Sequence, residues 1–102
     1  MADVSQIKAN GREIYLMMPG YGMWRFNSFL NLESFLEDHE LRRMDLLEEQ
    51  LYVLRGNRIE MSSKSFSSGA LSPVLSFDRQ VQSFAVNRKY LLVAQKGRVL
   101  RY

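Results

Sequence analysis

A chain of 102 residues with 46% apolar and 25% charged side chains has the composition of a globular domain, long enough to bury roughly 60 to 65% of the surface its unfolded form exposes. The absence of cysteine excludes a disulfide framework, a thiolate metal centre and a redox thiol. The net charge of +3 is unevenly spread, with +1 over residues 1–30, −5 over 31–54 and +7 over 55–102.

Such segregation fits an acidic face that meets the basic face of a neighbour, a basic surface that meets nucleic acid, or two solvated faces. The longest apolar runs, Ile14 to Met18 and Tyr90 to Ala94, fall far short of the roughly 20 residues of a membrane span. The first residues, Met1-Ala2-Asp3-Val4-Ser5, lack the basic and apolar regions of a secretory signal. The expectation is one soluble, non-secreted domain over residues 1–102, cytoplasmic or within a viral particle.

In chain order, Val4, Ile7 and Ala9 precede Asn10-Gly11, a pair that tolerates the positive φ of a type I′ hairpin turn. Ile14 to Met18 follows as a buried strand, Pro19-Gly20-Tyr21-Gly22 breaks it, and Met23 to Phe26 reads as a third strand. Around residues 31–43 the period changes. Asn31 is a candidate N-cap, Glu33 and Glu37 suit the positive end of a helix, and Leu32, Phe35, Leu36, Met44 and Leu47 form a helical stripe. This predicts one acidic helix ending near Arg43, followed by strands at Met44 to Leu47, Leu51 to Leu54 and Arg58 to Ser62. The alternative is a longer helix continuing through Leu51 and Leu54. Serine-rich residues 62–73 read as a mobile loop and a first site of proteolysis. Val74 to Phe77 is a further short strand. The final meander comprises Phe84 to Val86, Tyr90 to Ala94 and a strand after the Lys96-Gly97 turn, which Tyr102 ends.

Three segments share a template. Ile7, Met44 and Phe84 each precede Ile14, Leu51 and Leu91 by seven residues, and a glycine turn (Gly22, Gly56, Gly97) follows each central run before Trp24, Ile59 and Val99. The central runs are spaced 37 and 40 residues apart, within the range of repeat architectures. The predicted fold class is therefore mostly β within an α+β chain: three antiparallel β-meander units and one acidic helix. This template resembles a blade of a β-propeller. No Trp-Asp strand end, Gly-His opening or double-glycine signature assigns it to a particular propeller family. The resemblance implies a scaffold that presents loops to partners, and three units fall short of a ring of four to eight. An open edge at Tyr102 would be completed within the domain, by a neighbouring subunit, or in a longer chain, and completion by a neighbour is the most economical of these.

Chemistry-bearing groups are sparse. His39, within Glu37-Asp38-His39-Glu40, has no second histidine or cysteine with which to build a transition-metal site. The carboxylates of residues 31–54 lack calcium-loop spacing, and no serine sits in a nucleophile-elbow setting. Pro19-Gly20-Tyr21-Gly22 reads as a turn rather than a phosphate cradle. No catalytic residue, metal, cofactor or small-molecule substrate is expected.

The favoured reading is a non-catalytic structural or protein-interaction module that assembles with itself or a larger partner, as a viral or phage accessory protein would. The interface residues expected on that reading are Tyr21, Met23, Trp24, Arg98, Arg101 and Tyr102. The alternative is a basic nucleic-acid-binding protein using Arg55, Arg58, Arg88, Lys89, Lys96 and Arg98, with Tyr90 or Tyr102 as stacking platforms.

Overall fold

The computed structural model describes residues 5–62 and 71–102, which form three consecutive antiparallel meanders. The first sheet holds β1 (Gln6–Ala9), β2 (Glu13–Met18), β3 (Gly22–Asn27) and β4 (Leu32–Glu37) in sequential order. The second holds β5 (Leu41–Leu47), β6 (Gln50–Arg55), β7 (Arg58–Ser62) and β8 (Ser72–Ser76). The third holds β9 (Val81–Val86), β10 (Leu91–Gln95) and β11 (Arg98–Arg101). The mostly-β expectation and the meander pattern are what the structure shows.

The predicted acidic helix is absent; the described residues contain no helix. Residues 31–43 instead form β4, a turn at Asp38 to Glu40, and the start of β5. The helical stripe was a projection of two strand faces. Met23 lies opposite Leu36 and Trp24 opposite Phe35, so Phe35 and Leu36 point to opposite sides of the sheet. A register shift between Arg25 and Phe26 brings Leu32 opposite Phe26, completing the false i, i+3, i+4 pattern. The longer helix is excluded as well, because Met44 to Leu54 is a hairpin whose turn places Glu48 at φ 56°. The loop expected over 62–73 falls mainly on 63–70, outside the described residues; Ser62 ends β7, and Ser72 and Pro73 begin β8.

Two kinds of turn recur. Asn10 does not use the expected positive φ of a following Gly11, which is not among the positive-φ glycines. Its side-chain oxygen instead accepts hydrogen bonds from the N–H groups of Arg12 and Glu13, both at 2.8 Å. Asn87 repeats this with Lys89 and Tyr90 at 2.8 and 2.7 Å. An Asx side chain substituting for a backbone acceptor is the common device. The second turns need glycine: Gly20, Gly56 and Gly97 have φ of 77°, 57° and 80°, a region that L side chains adopt only under strain. The glycine of the first turn is thus Gly20, while Gly22 lies within β3.

The sheets stack through their early strands. β5 lies against β1 and β2 on one side and against β9 on the other. Residues directly opposite in an antiparallel pair share a face, so the register assigns each side chain to a seam. Tyr15, Met17 and Met23 of the first sheet meet Leu41, Met44, Leu51 and Val53 of the second. On the other face of the second sheet, Leu54 and Ile59 meet Val81, Phe84, Leu91 and Val93 of the third. The middle sheet is apolar on both faces and covered on both, as in buried sheets generally. Burial of these side chains, at roughly 1.5 to 3 kcal/mol each, is the chief force holding sheet to sheet.

Candidate functional site

Each sheet has a leading face, turned toward the preceding sheet, and a trailing face, turned toward the next. Ile7 pairs with Leu16, Met44 with Val53 and Phe84 with Val93, so these three pairs occupy one place in the template. Met44, Val53, Phe84 and Val93 are buried leading-face residues. Ile7, on the leading face of the first sheet, is 68% exposed. The trailing face behaves likewise. Met17 pairs with Met23, Leu54 with Ile59 and Ala94 with Val99. Met23 and Ile59 are fully buried, whereas Val99 is 68% exposed. The register thus replaces Trp24 by Met23 as the counterpart of Ile59 and Val99.

Two apolar sheet faces therefore stand uncovered by the described residues. Across the leading face of the first sheet runs the row Ile7, Leu16, Trp24 and Phe35. The Trp24 and Phe35 rings lie 4.7 Å apart, and Tyr21 joins them at 5.8 and 6.3 Å. A second row contains Ala9, Ile14, Phe26 and Leu32. Gly22 is required beneath this cluster, because a Cβ there would sit 2.8 Å from the Phe35 ring and 2.7 Å from the Leu36 carbonyl oxygen. The trailing face of the third sheet is built from smaller side chains. Ser83, Ala85, Leu92, Ala94 and Val99, with Phe84, line an open depression of about 230 Å³. At its edge the Arg101 guanidinium lies 4.9 Å from the centre of the Tyr90 ring, a cation–π contact.

Most carboxylates of the described residues are paired within the chain. Arg55 Nε donates to Asp38 Oδ2 at 2.7 Å and Nη1 to Glu60 Oε1 at 2.8 Å, with Glu40 at 3.7 Å. The Glu60 hydrogen bond, with Asp38 behind it, raises the Arg55 pKa against the opposing effect of burial. Arg25 Nη1 reaches Glu13 at 2.6 Å, and the Tyr15 hydroxyl donates to the same carboxylate at 2.9 Å. At the opposite end of the sheets, Glu49 pairs with Arg12 at 2.6 Å and Glu48 with Arg88. The acidic middle segment is therefore met by basic residues from both sides, Arg12 from the first sheet and Arg88 from the third.

Of the expected interface residues, Tyr21, Trp24 and Arg101 lie on the outer faces. Met23 is fully buried in the first seam. Arg98, opposite Gln95, and Tyr102, whose ring lies 5.9 Å from Phe77, are turned toward the second sheet. The nucleic-acid residues do not all share one end of the sheets. Arg88 and Lys89 precede β10, whereas Lys96 and Arg98 follow it. Arg55 is engaged as described, and Arg58 lies 3.6 Å from Glu40. His39 Nδ1 sits 3.0 Å from the Gly20 carbonyl oxygen and Nε2 3.5 Å from Glu37, with the side chain exposed. Among the described residues no group of three or more His, Asp or Glu side chains could hold a metal ion, and no helix is long and apolar enough to cross a membrane.

Ile7, Leu16, Phe35, Leu92 and Val99 were missed by sequence reasoning. All three units carry apolar residues on both strand faces, but which of them stand exposed follows only from the register that assigns each a face. A scan of protein-family models and a search of curated proteins both returned no match to this chain.

Proposed function

We propose that this protein is a non-catalytic structural or protein-interaction module that works by assembly through the outer faces of its first and third sheets. One observation carries the reading. The uncovered positions are register equivalents of those that form the two internal seams, so the same side-chain classes are spent on surfaces that have no cover within the described chain. Clustered exposed apolar side chains of this kind mark interaction sites in soluble proteins, and aromatic groups such as Trp24, Phe35 and Tyr21 are favoured interface anchors. The stacking of meanders through their first strands keeps the resemblance to propeller blades. On that likeness the outer faces are blade faces awaiting neighbours.

Radical footprinting tests the module reading without naming a partner. In the producing cell, Trp24, Phe35, Leu92 and Val99 are expected to be labelled several-fold more slowly than in the purified protein at high dilution. Equal labelling in both settings overturns the reading.

A further inference from the structure

We infer that the occupant of these faces is a second copy of this chain, joined head to tail: the leading face of one copy's first sheet packs on the trailing face of the other's third sheet. The contact occurs twice and closes a ring of six sheets. This inference rests on the module reading above and gives it a partner.

Direction comes first. Both internal seams join a trailing face to a leading face, with Tyr15, Met17 and Met23 on Met44, Leu51 and Val53 in one, and Leu54 and Ile59 on Phe84, Leu91 and Val93 in the other. What remains among the described residues is one leading face, on the first sheet, and one trailing face, on the third. They are complementary in kind, and each copy carries one of each. A face-to-like-face dimer would place leading on leading, an arrangement neither seam uses.

Shape agrees. In the first seam the leading face carries Glu60 and Ser62 opposite Val53 and Leu51. The equivalent places in the first sheet, opposite Leu16 and Ile14, hold Trp24 and Phe26. The uncovered leading face is thus raised by rings. The uncovered trailing face is lowered to match, with Leu92, Ala94 and Val99 in the places of Tyr15, Met17 and Met23, and with the 230 Å³ depression between them. A raised aromatic row against a hollow of small side chains is the pairing that close packing favours.

The count fixes the number of copies. A head-to-tail contact generates either a closed ring or an open filament. Stacked four-stranded sheets close as rings of about four to eight, and with three sheets per copy two copies alone give a number in that range.

The test exploits a chain without cysteine. Light scattering of the purified protein is expected to give the mass of two chains. When Leu16→Cys and Ala94→Cys proteins are mixed under mild oxidation, a disulfide-linked heterodimer is expected, with no cross-linked product from either protein alone. Val99→Glu, at an exposed position of the monomer, is expected to keep the circular dichroism spectrum and to weaken dimerisation on the order of 100-fold, because the carboxylate is buried without a partner. A monomer at the highest soluble concentration overturns the inference. So does a species that grows beyond two chains, or cross-linking within the Leu16→Cys protein alone. A monomer whose faces are still protected in the cell removes only the second copy, whereas a monomer without that protection removes the module reading too.

Discussion

The two internal seams are alike in their apolar centres and different at one end. Arg55 stands four residues after Leu51, and Gln95 stands four after Leu91. Both lie on leading faces. In the first seam Arg55 binds Asp38 and Glu60 in a largely buried ionic cluster. In the second, Gln95 receives a hydrogen bond from Arg98 at 2.7 Å and donates to the Arg79 carbonyl oxygen at 3.4 Å. Asn57 completes that end by accepting from the Val81 N–H at 3.1 Å. The apolar residues determine that two sheets stack in this way. The polar end is free to hold buried ion pairs or single hydrogen bonds, provided every buried group finds a partner, and none of the buried side-chain polar atoms among the described residues lacks one.

The largest expected effect sharpens this contrast. Arg55→Met strands the Asp38 and Glu60 carboxylates, each with only 10% of its side chain exposed. The loss of one partner from such a cluster costs about 3 to 5 kcal/mol. Gln95→Met removes a hydrogen bond from the exposed Arg98 guanidinium and a long one to the Arg79 carbonyl oxygen, strands no buried charge, and costs about 1 kcal/mol. Urea midpoints of the two variants measure the difference, and equal shifts would break the distinction between a seam closed by buried ion pairs and one closed by single hydrogen bonds.

Next come two leucines of one strand. Leu51 and Leu54 are both buried on β6, the first in the seam with sheet one and the second in the seam with sheet three. Each Leu→Ala change is expected to cost about 3 kcal/mol. In stacked units coupled only to their neighbours, Leu54→Ala should speed amide exchange in β9 to β11 while β1 to β4 stay protected, and Leu51→Ala should do the reverse. Uniform acceleration in both variants would mean that the seams open together.

Gly22→Ala follows, at about 2 kcal/mol, because the new methyl would meet the Leu36 carbonyl oxygen and the Phe35 ring inside van der Waals distance. Its effect should be local. The Trp24 fluorescence maximum is expected to shift as Phe35 is displaced, and an unchanged spectrum with unchanged stability would refute the requirement for glycine.

The strands that were legible and those that were not divide along a physical line. Strands were readable wherever a turn residue left a chemical mark, such as the asparagines at positions 10 and 87 and the glycines at 56 and 97. The seven-residue spacing of Ile7, Met44 and Phe84 from Ile14, Leu51 and Leu91 then set the repeat. Residues 31–43 were misread because a strand with apolar side chains on both faces can imitate a helical stripe over one turn, and Asn31 and Glu33 imitate a cap. Within the site, Tyr21 and Trp24 were visible as an aromatic cluster beside a turn. Ile7, Leu92 and Val99 were not, since a lone aliphatic residue reveals its exposure only once register assigns it a face. Met23 and Trp24 are neighbours in sequence and lie on opposite faces, so they could not both belong to one interface.

The smallest effect concerns Tyr15, whose counterpart in the second seam is Tyr52, with its hydroxyl 3.4 Å from Gln50. Tyr15 is 2% exposed. Burial, then the hydrogen bond to Glu13 and the charge of that carboxylate, push its phenol well above the ordinary value of 10.0. A pKa raised on folding means that the neutral phenol's contribution is fully present below about pH 10. Above that pH the unfolded chain releases a proton that the folded chain retains, so stability falls as pH rises. Tyr15→Phe removes the titration. At neutral pH it should cost only about 1 kcal/mol, the loss of one hydrogen bond, because Arg25 still holds Glu13 at 2.6 Å. Denaturant midpoints between pH 9 and pH 11 should then fall less steeply for Tyr15→Phe than for the unaltered protein. Parallel slopes for the two proteins would show that the first seam does not hold Tyr15 in its neutral form.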